Sequence, residues 1–532
     1  MKKLFLILTL FVLILSCGGN KGGEAGKGGK GGGTVTLNFE QEPKTIDPQL
    51  TTDTTATKIN ALLMEGLTRQ DETGAPVPGI AEKWDVSEDG LIWTFHLRDA
   101  KWENGDPVTA NDFKFAWIRA LDSKSAAEYA YMLFPIKGAR EFNEGKGSAE
   151  NVGIKVIDDK TLEVTLANPT AYFAALISFQ TFTPLNEKYY NEQGDQYALD
   201  AGKIMANGPY KLVKWTHNES FELVRNENYW NNAETKIDTV KAKLISDASA
   251  SLSAFKNDEL DLTLITVEQY PEFKEDKRLT PYDDGSTWYL EYNLKNDFLA
   301  NKKIRQALTM AVDKEELGAI LQAMGKPAYG YVPAFVQGID KSFREEAGDT
   351  FPHYNPEEAK KLFAEGLKEL GLEKAPKLTL IFNDQGNNKK IAEYVQEKIR
   401  KELGYDLAVE SLPFKERLER MTQKTFEIVL AGWSGDYNDA LSYMDMWVTN
   451  GGNNHTSYSN PKYDELIKIA QTSPDQKARI QAMIEAEKLL GEDMPIGMLY
   501  YRQRMALVNP RLKNIKFKPV GSEYYLTNAY VE

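Results

Sequence analysis

Alternating apolar and polar residues predict several strands with one buried face. Residues 34–39, 91–98 and 162–166 show this period of two, and Trp93, Phe95 and Leu97 fall on one side of the second segment. Residues 210–215 and 221–225 flank a polar turn and predict a hairpin. These segments alone indicate antiparallel pairing.

Other segments carry the spacing of helices. Residues 302–312, 389–403, 466–470 and 476–490 have apolar positions three and four apart, and a helix through 62–67 is expected after a polar loop at 51–57. Thr109 with Asp112 predicts a capping box at the start of a helix over 112–120. Short strands at 288–293 and 498–501 complete the pattern. Because residues 378–412 form a strand–helix–strand unit beside the hairpin, the fold class is α/β with mixed sheets.

The strand over 426–431 organises this prediction. It is continuously apolar apart from Glu427, which predicts burial on both faces, and a turn carrying Asp436 follows it. Ligands of open α/β sheets bind just beyond the carboxyl ends of strands, so Asp436 is a candidate binding residue. The alternative is a solvated aspartate that caps the next helix.

The first residues predict export and anchoring. Two lysines precede an apolar run from 4 to 15 that is too short for a mature membrane span, which is typical of a signal peptide over 1–16. The sequence Ile14-Leu15-Ser16-Cys17 resembles the lipobox of bacterial lipoproteins, in which the cysteine is lipidated after cleavage. Residues 17–33 then form a Gly- and Lys-rich flexible tether. The alternative is an uncleaved signal anchor with an incidental Cys17.

Charge and cysteine usage exclude several functions. Without residues 1–16 the chain has 62 basic and 78 acidic residues, a net charge of −16, which argues against nucleic acid or electrostatic membrane binding. Cys17 is the only cysteine, so neither an internal disulfide nor a thiolate metal cluster can form. No metal or cofactor is predicted.

A hydrolase is the enzyme alternative, and its pattern is incomplete. Gly432-Trp433-Ser434 after a strand is similar to a nucleophile elbow, but Asp436 stands where that motif needs glycine. Of the four histidines only His455 follows in the chain, without an evident acid partner. We therefore predict a protein that is not an enzyme.

Eight short motifs follow one another between about residue 34 and the end of the sequence. They are EGL at 65–67, AEKW at 81–84, WTFHLR at 93–98, NGDPVTANDF at 104–113, NGPY at 207–210, ENYW at 227–230, KIRQAL at 303–308 and AGWSGDYN at 431–438. Together they resemble the extracellular solute-binding proteins of peptide ABC importers, and most of all the oligopeptide-binding proteins.

The resemblance implies a three-domain, two-lobed clamp like that of periplasmic binding proteins, with a hinge of crossing strands. Lobe I would combine 34–64, 188–288 and 504–532, an additional domain would span 65–187, and lobe II would span 289–503. The protein would be a monomer that captures oligopeptides between closing lobes outside the cytoplasm. Its partners would be an ABC permease with ATPase subunits, and Cys17 would be its only membrane attachment.

The resemblance also implies the binding residues. Asp436 falls on the acid that pairs with the peptide's α-amino group, and the strand before it pairs with the peptide backbone. Aromatic residues and a threonine loop surround the ligand, and residues 453–458 contribute weaker candidates. The complete expected set is Thr52, Thr54, Tyr129, Trp288, Phe414, Ala431, Gly432, Trp433, Ser434, Asp436, Asn453, Asn454 and Tyr458.

This sequence lacks the basic residues that in some family members help to hold the carboxylate of the peptide. Some members carry arginines at the positions of Met421 and Leu430 and a histidine at that of Asn388. The carboxylate anchor, the peptide length and the envelope type therefore stay open. Related clamps bind nickel chelates, haem or oligosaccharides, and a lipoprotein adhesin or chaperone that retains the clamp is a further alternative.

Overall fold

The computed structural model describes residues 32–383 and 385–532; the predicted signal peptide, Cys17 and most of the tether lie outside them. The strands are β1 (Thr34–Asn38), β2 (Thr68–Gln70), β3 (Pro76–Pro78), β4 (Ala81–Val86), β5 (Ile92–Leu97), β6 (Ile154–Asp158), β7 (Thr161–Thr165), β8 (Tyr210–Thr216), β9 (Ser220–Arg225), β10 (Thr239–Lys243), β11 (Leu262–Leu264), β12 (Leu279–Tyr292), β13 (Gly325–Pro327), β14 (Thr379–Asn383), β15 (Ala408–Leu412), β16 (Ile428–Ser434), β17 (Ile496–Val508), β18 (Leu512–Lys513), β19 (Lys516–Phe517), β20 (Tyr524–Tyr525) and β21 (Tyr530–Val531).

The α-helices are α1 (Thr54–Leu63), α2 (Ala110–Leu121), α3 (Ala139–Asn143), α4 (Phe173–Leu176), α5 (Glu187–Gln193), α6 (Ala248–Lys256), α7 (Tyr270–Phe273), α8 (Asp297–Ala300), α9 (Lys302–Met310), α10 (Lys314–Leu321), α11 (Phe343–Ala347), α12 (Pro356–Glu369), α13 (Asn388–Leu403), α14 (Phe414–Thr422), α15 (Leu441–Met444), α16 (Pro461–Thr472) and α17 (Gln476–Asp493).

One mixed sheet runs through the molecule. Within the described residues its order is β15-β14-β16-β12-β17-β11-β1-β10-β9-β8, with β13 added beside β17. The long strands β12 and β17 pair with each other and have β16 on one side and β11 on the other. A separate four-stranded sheet, β4-β5-β7-β6, lies in the segment before residue 188. This is the mixed α/β architecture that the sequence predicts, with two strands crossing between its halves.

Local sequence explains where the helices begin. The predicted capping box at α2 is confirmed, because the Asp112 carboxylate accepts the Thr109 backbone N–H at 2.8 Å. The polar loop predicted over 51–57 is shorter than expected. The Asp53 carboxylate accepts the Ala56 N–H at 2.8 Å and starts α1 at Thr54.

The strand–helix–strand prediction around residues 378–412 is confirmed. Strands β14 and β15 are parallel, α13 connects them, and β16 adds in parallel to β14. Residues Ile428 to Ala431 are buried without interruption, as expected for a strand covered on both faces. The structure extends this strand to Ser434, which leaves Asp436 two residues beyond its carboxyl end.

A buried carboxylate holds the long loop between β13 and α11. Glu487 on α17 is fully buried, and its oxygens accept the backbone N–H groups of Tyr331 and Val332 at 2.7 and 2.8 Å. The same carboxylate pairs with Arg344 at 2.6 Å and accepts the Thr350 hydroxyl at 2.9 Å. Such a site depends on every partner, since a buried charge without partners is costly.

Replacing Glu487 by alanine should lower the free energy of unfolding by about 3–5 kcal/mol, because Arg344 and two backbone N–H groups lose their acceptor. Urea-unfolding midpoints measure this loss. The control is Glu485→Ala on the same helix, whose side chain is 46% exposed, and it should stay within about 0.5 kcal/mol of the parent protein. Equal effects of the two substitutions would contradict this account of the loop.

Candidate functional site

A cleft of about 620 Å³ lies between the two halves of the sheet. One wall includes residues from 38 to 57 together with Tyr129 and Phe179, and the opposite wall includes 414–423 and 431–436. The crossing strands β12 and β17 contribute Trp288 and Arg502. The cleft therefore brings together segments that are almost 400 positions apart in the sequence.

Most of the residues expected at the site line this cleft. They are Thr52, Thr54, Tyr129, Trp288, Phe414, Ala431, Gly432, Trp433, Ser434, Asp436 and Asn453. The two walls touch, because the Asn453 side-chain amide donates to the Tyr131 hydroxyl at 3.1 Å.

Asn454 and Tyr458 do not line the cleft, and the expectation for them needs correction. Asn454 is 1% exposed and its amide donates to the carbonyls of Val448 and Tyr458, at 3.0 and 2.8 Å. The Tyr458 hydroxyl donates to Asp493 at 2.8 Å. Both side chains hold the loop before α16 together.

The second half of β16 has one unpaired edge. All of β16 pairs with β12, whereas β14 pairs only with Ile428 and Val429. In the part of the chain that the structure describes, no strand therefore pairs with residues 431–434 on the β14 side. Unpaired backbone groups on such an edge can accept a further strand.

The side chains along this edge are fixed from behind. The Trp288 ring lies against Gly432, where an added Cβ would be 2.6 Å from the ring. The Trp433 indole N–H donates to the Ser442 carbonyl at 2.8 Å, and the Ser434 and Ser286 hydroxyls are 2.5 Å apart. Ser434 thus has a serine partner rather than a histidine, so the hydrolase geometry is not assembled.

Asp436 is an acid without a cation. Burial raises the pKa of its carboxyl well above the usual range, and the nearby Asp445 raises it further, while the Tyr129 hydroxyl acts in the opposite direction. Asp445 itself has a pKa raised to about 7, by burial and by Asp439. Among the described residues no lysine, arginine or histidine lies within ion-pair distance of Asp436. The site is prepared for a positive group that the protein does not supply.

The helix-capping alternative for Asp436 does not hold. The helix that follows is α15, and the Leu441 N–H at its start donates to Asp439 at 2.9 Å. Asp439 also pairs with Arg479 at 3.0 Å. Asp439 therefore takes the structural role, and the Asp436 carboxylate is left for the cleft.

Sequence reasoning missed the charged residues of the cleft other than Asp436, and Arg417 is the one most deeply buried among its cations. Arg417 on α14 is 7% exposed and lines the cleft, and its guanidinium Nη1 donates to the Leu430 carbonyl at 3.1 Å. It stands four positions before Met421, which is also buried, so the two share one face of the helix. That spacing is a signal that could have identified it.

The structure has two halves joined by crossing strands, a cleft between the halves and a strand edge open to that cleft. These features define a ligand-binding clamp. The family model for the middle part of bacterial extracellular solute-binding proteins, family 5, matches residues 75–455. The chain belongs to this family, whose members bind solutes and are not enzymes.

The relatives cover nearly the whole chain. The dipeptide-binding protein DppE of Bacillus subtilis is 35% identical, with 91% of this chain and 90% of that protein covered. The oligopeptide-binding protein OppA of the same organism is 35% identical over 100% of both chains. A structure of Listeria monocytogenes OppA bound to peptide is 33% identical, covers 95% of this chain and 99% of its own, and has a TM-score of 0.87.

The two walls of the clamp are in contact in this structure. The TM-score falls to 0.68 against a structure of a periplasmic murein tripeptide-binding protein in its unliganded open form, which is 28% identical and covers 94% of this chain and 97% of its own. The contact between Asn453 and Tyr131 across the cleft agrees with a closed arrangement.

Among the described residues, none of the helices combines the length and the apolar character that crossing a membrane requires.

Replacing Asp436 by asparagine should raise the melting temperature of the unliganded protein at pH 7. A carboxyl whose pKa is raised on folding stabilises the fold below its unfolded pKa of about 4, and that stability is lost as pH rises through the folded pKa. Asparagine imitates the protonated form, so the gain should grow with pH. Differential scanning calorimetry from pH 4 to 8 measures it.

The matched control is Asp439→Asn, three positions along the same loop. It removes the partner of Arg479, which is 1% exposed, and should lower the melting temperature. If both substitutions shift the melting temperature downward at pH 7, Asp436 is not an uncompensated buried acid.

Proposed function

We propose that this protein captures short peptides with a free N terminus in its cleft and delivers them to an ABC permease with its ATPase subunits. The observation that carries the proposal is Asp436, a cleft carboxylate without a cation at the end of the unpaired edge 431–434. An α-ammonium group has the charge that this carboxylate needs. The names of the relatives, dipeptide- and oligopeptide-binding proteins, point to the same ligand class.

The open edge explains how many sequences could be accepted. A peptide that pairs with residues 431–434 as an added strand presents backbone groups that every sequence shares. Its side chains would enter a cleft of about 620 Å³, where water can adapt the contacts. Aromatic residues such as Trp433 and Tyr129 supply apolar surface around them.

We also propose the domain division and the attachment given by the sequence. Lobe I comprises 34–64, 188–288 and 504–532, the additional domain 65–187, and lobe II 289–503, in a monomer. The crossing of β12 and β17 near residues 288 and 503 supports the placement of the hinge. Lipidated Cys17 would hold the protein at the outer side of the membrane.

Acetylating the N terminus of a peptide should abolish most of its binding. Burial of Asp436 beside an uncharged amide removes one partner of a buried pair, which costs about 3–5 kcal/mol, or on the order of 10²–10³-fold in affinity. Thermal shift makes the comparison direct, since a free-amine peptide at 100 times its Kd stabilises by about 2.7 kcal/mol.

Asp436→Asn is the complementary variant and should lose the preference for the free amine. Equal stabilisation of the unmodified protein by the free and the acetylated peptide would refute Asp436 as the anchor. Mass spectrometry of co-purifying ligand distinguishes peptides from a chelate, haem or oligosaccharide.

Replacing Cys17 by serine should release the protein into the soluble fraction of the cell, because serine cannot accept the thioether-linked lipid. Ultracentrifugation followed by immunoblotting measures the distribution. A Ser16→Ala variant keeps a small residue before the cysteine and should remain in the membrane fraction. A serine variant that sediments with the membranes would contradict lipid anchoring at Cys17.

A further inference from the structure

Arg417 is a buried guanidinium with unused hydrogen-bonding capacity. Its Nε is buried without a partner, and Nη1 donates to the Leu430 carbonyl at 3.1 Å. The Phe414 ring supports the group from 5.3 Å. Burial lowers the pKa of Arg417 to about 10, and the charges of Glu291 and Tyr289 only partly offset this effect. A guanidinium in such a position gains from a carboxylate that accepts two parallel N–H bonds.

The other cations that line the cleft are satisfied elsewhere or exposed. Arg502 and Arg504 share Asp284, at 2.5 and 2.9 Å. Lys44 pairs with Glu128 at 3.4 Å near the surface, and Lys415 is exposed. In residues 32–383 and 385–532 no carboxylate lies within ion-pair distance of Arg417. Among these cations, Arg417 combines burial with the absence of an ion pair.

Arg417 and Asp436 lie near opposite ends of the unpaired edge 431–434, and this arrangement sets the direction of a bound peptide. Leu430, whose carbonyl binds Arg417, immediately precedes the unpaired edge 431–434, and Asp436 follows it. The edge thus has a cation at its start and an acid at its end. A peptide with its N terminus at Asp436 would run antiparallel to β16, with its carboxylate toward Arg417.

We propose that Arg417 binds the C-terminal carboxylate of the peptide and thereby selects short peptides. The four edge residues span about 13 Å at ~3.3 Å per residue, which corresponds to a ligand of about three or four residues. The inference rests on the proposed peptide-binding function. In this chain Arg417 supplies the positive charge that some family members carry as arginines at the positions of Met421 and Leu430.

A structural role for Arg417 makes a different prediction. Glu291 is 1% exposed and its Oε2 accepts no hydrogen bond, with His455 Nδ1 at 3.7 Å. If Arg417 only compensates the charge of Glu291, its replacement should destabilise the protein without changing the preference among ligand termini. The experiment must therefore separate stability from terminal preference.

The test compares the tetrapeptide Ala₄ as a free acid and as a C-terminal amide, both with free N termini, by isothermal titration calorimetry. The unmodified protein should bind the amide about 10–100-fold more weakly, the loss expected for a hydrogen bond to a charged group. Arg417→Met should bind the two forms equally. Across Ala₂ to Ala₆, the preference for the acid should be greatest for three and four residues.

Controls keep the result interpretable. Arg420→Met, on the same helix and paired with Glu410 and Glu416 outside the cleft lining, should keep the full preference. Arg417→Lys keeps the charge beside Glu291 and should fold while losing part of the preference, and it decides the question if Arg417→Met does not fold. An unchanged acid-to-amide ratio in either Arg417 variant overturns the proposal.

N-terminal acetylation separates this inference from the function on which it rests. If acetylation weakens binding and amidation does not, Arg417 is not the anchor although the protein still binds peptides. If neither modification weakens binding, neither Asp436 nor Arg417 is an anchor, and if none of the peptides binds, the peptide-binding proposal itself fails.

Discussion

The clamp depends on a buried ionic cluster where the two crossing strands meet. Asp284 in β12 is 5% exposed and binds both Arg502 and Arg504 of β17, at 2.5 and 2.9 Å. Burial opposes ionisation of Asp284, but the two arginines lower its pKa below the usual value. The pairing of β12 with β17 is irregular between Asp283 and Thr287, so the cluster holds the strands where the backbone ladder does not.

The cluster also connects the C-terminal segment and the first helix to the hinge. Arg504 binds Glu523 at 2.9 Å, and Glu523 binds Lys58 of α1 at 2.5 Å. Burial raises the free-energy cost of every charge in this chain of contacts, and each charge has an opposite partner. Loss of one member would leave others uncompensated, so the network fixes the cleft walls relative to the crossing strands.

How far the sequence predicted the fold can be judged from these strands. The apolar ends of β12 and β17 were expected at 288–293 and 498–501, and the structure has strands over Leu279–Tyr292 and Ile496–Val508. Hydrophobic periodicity could not reveal the middle of these strands, because Asp284, Arg502 and Arg504 are charged residues that lie in the interior only through partners from distant segments. The same limit applies to the binding site. Asp436 could be predicted because it follows a buried strand. Arg417 was missed because a charged residue on a short helix normally lies on the solvent-exposed face of that helix.

The contrast between paired and unpaired acids links ligand binding to closure. Asp284 and Glu487 are buried with cations and Asp439 is partly buried with one, whereas Asp436 is partly buried and has none among the described residues. The Tyr129 hydroxyl on the opposite wall contacts Asp436, so closing the cleft without a ligand carries the cost of burying an acid that has no opposite charge beside it. A ligand shifts a conformational equilibrium only by its difference in affinity for the two states. A cationic ligand that pairs with Asp436 binds the closed state more tightly than the open state. Its charge offsets the free-energy cost of burying this acid, and that cost exists only when the walls are together.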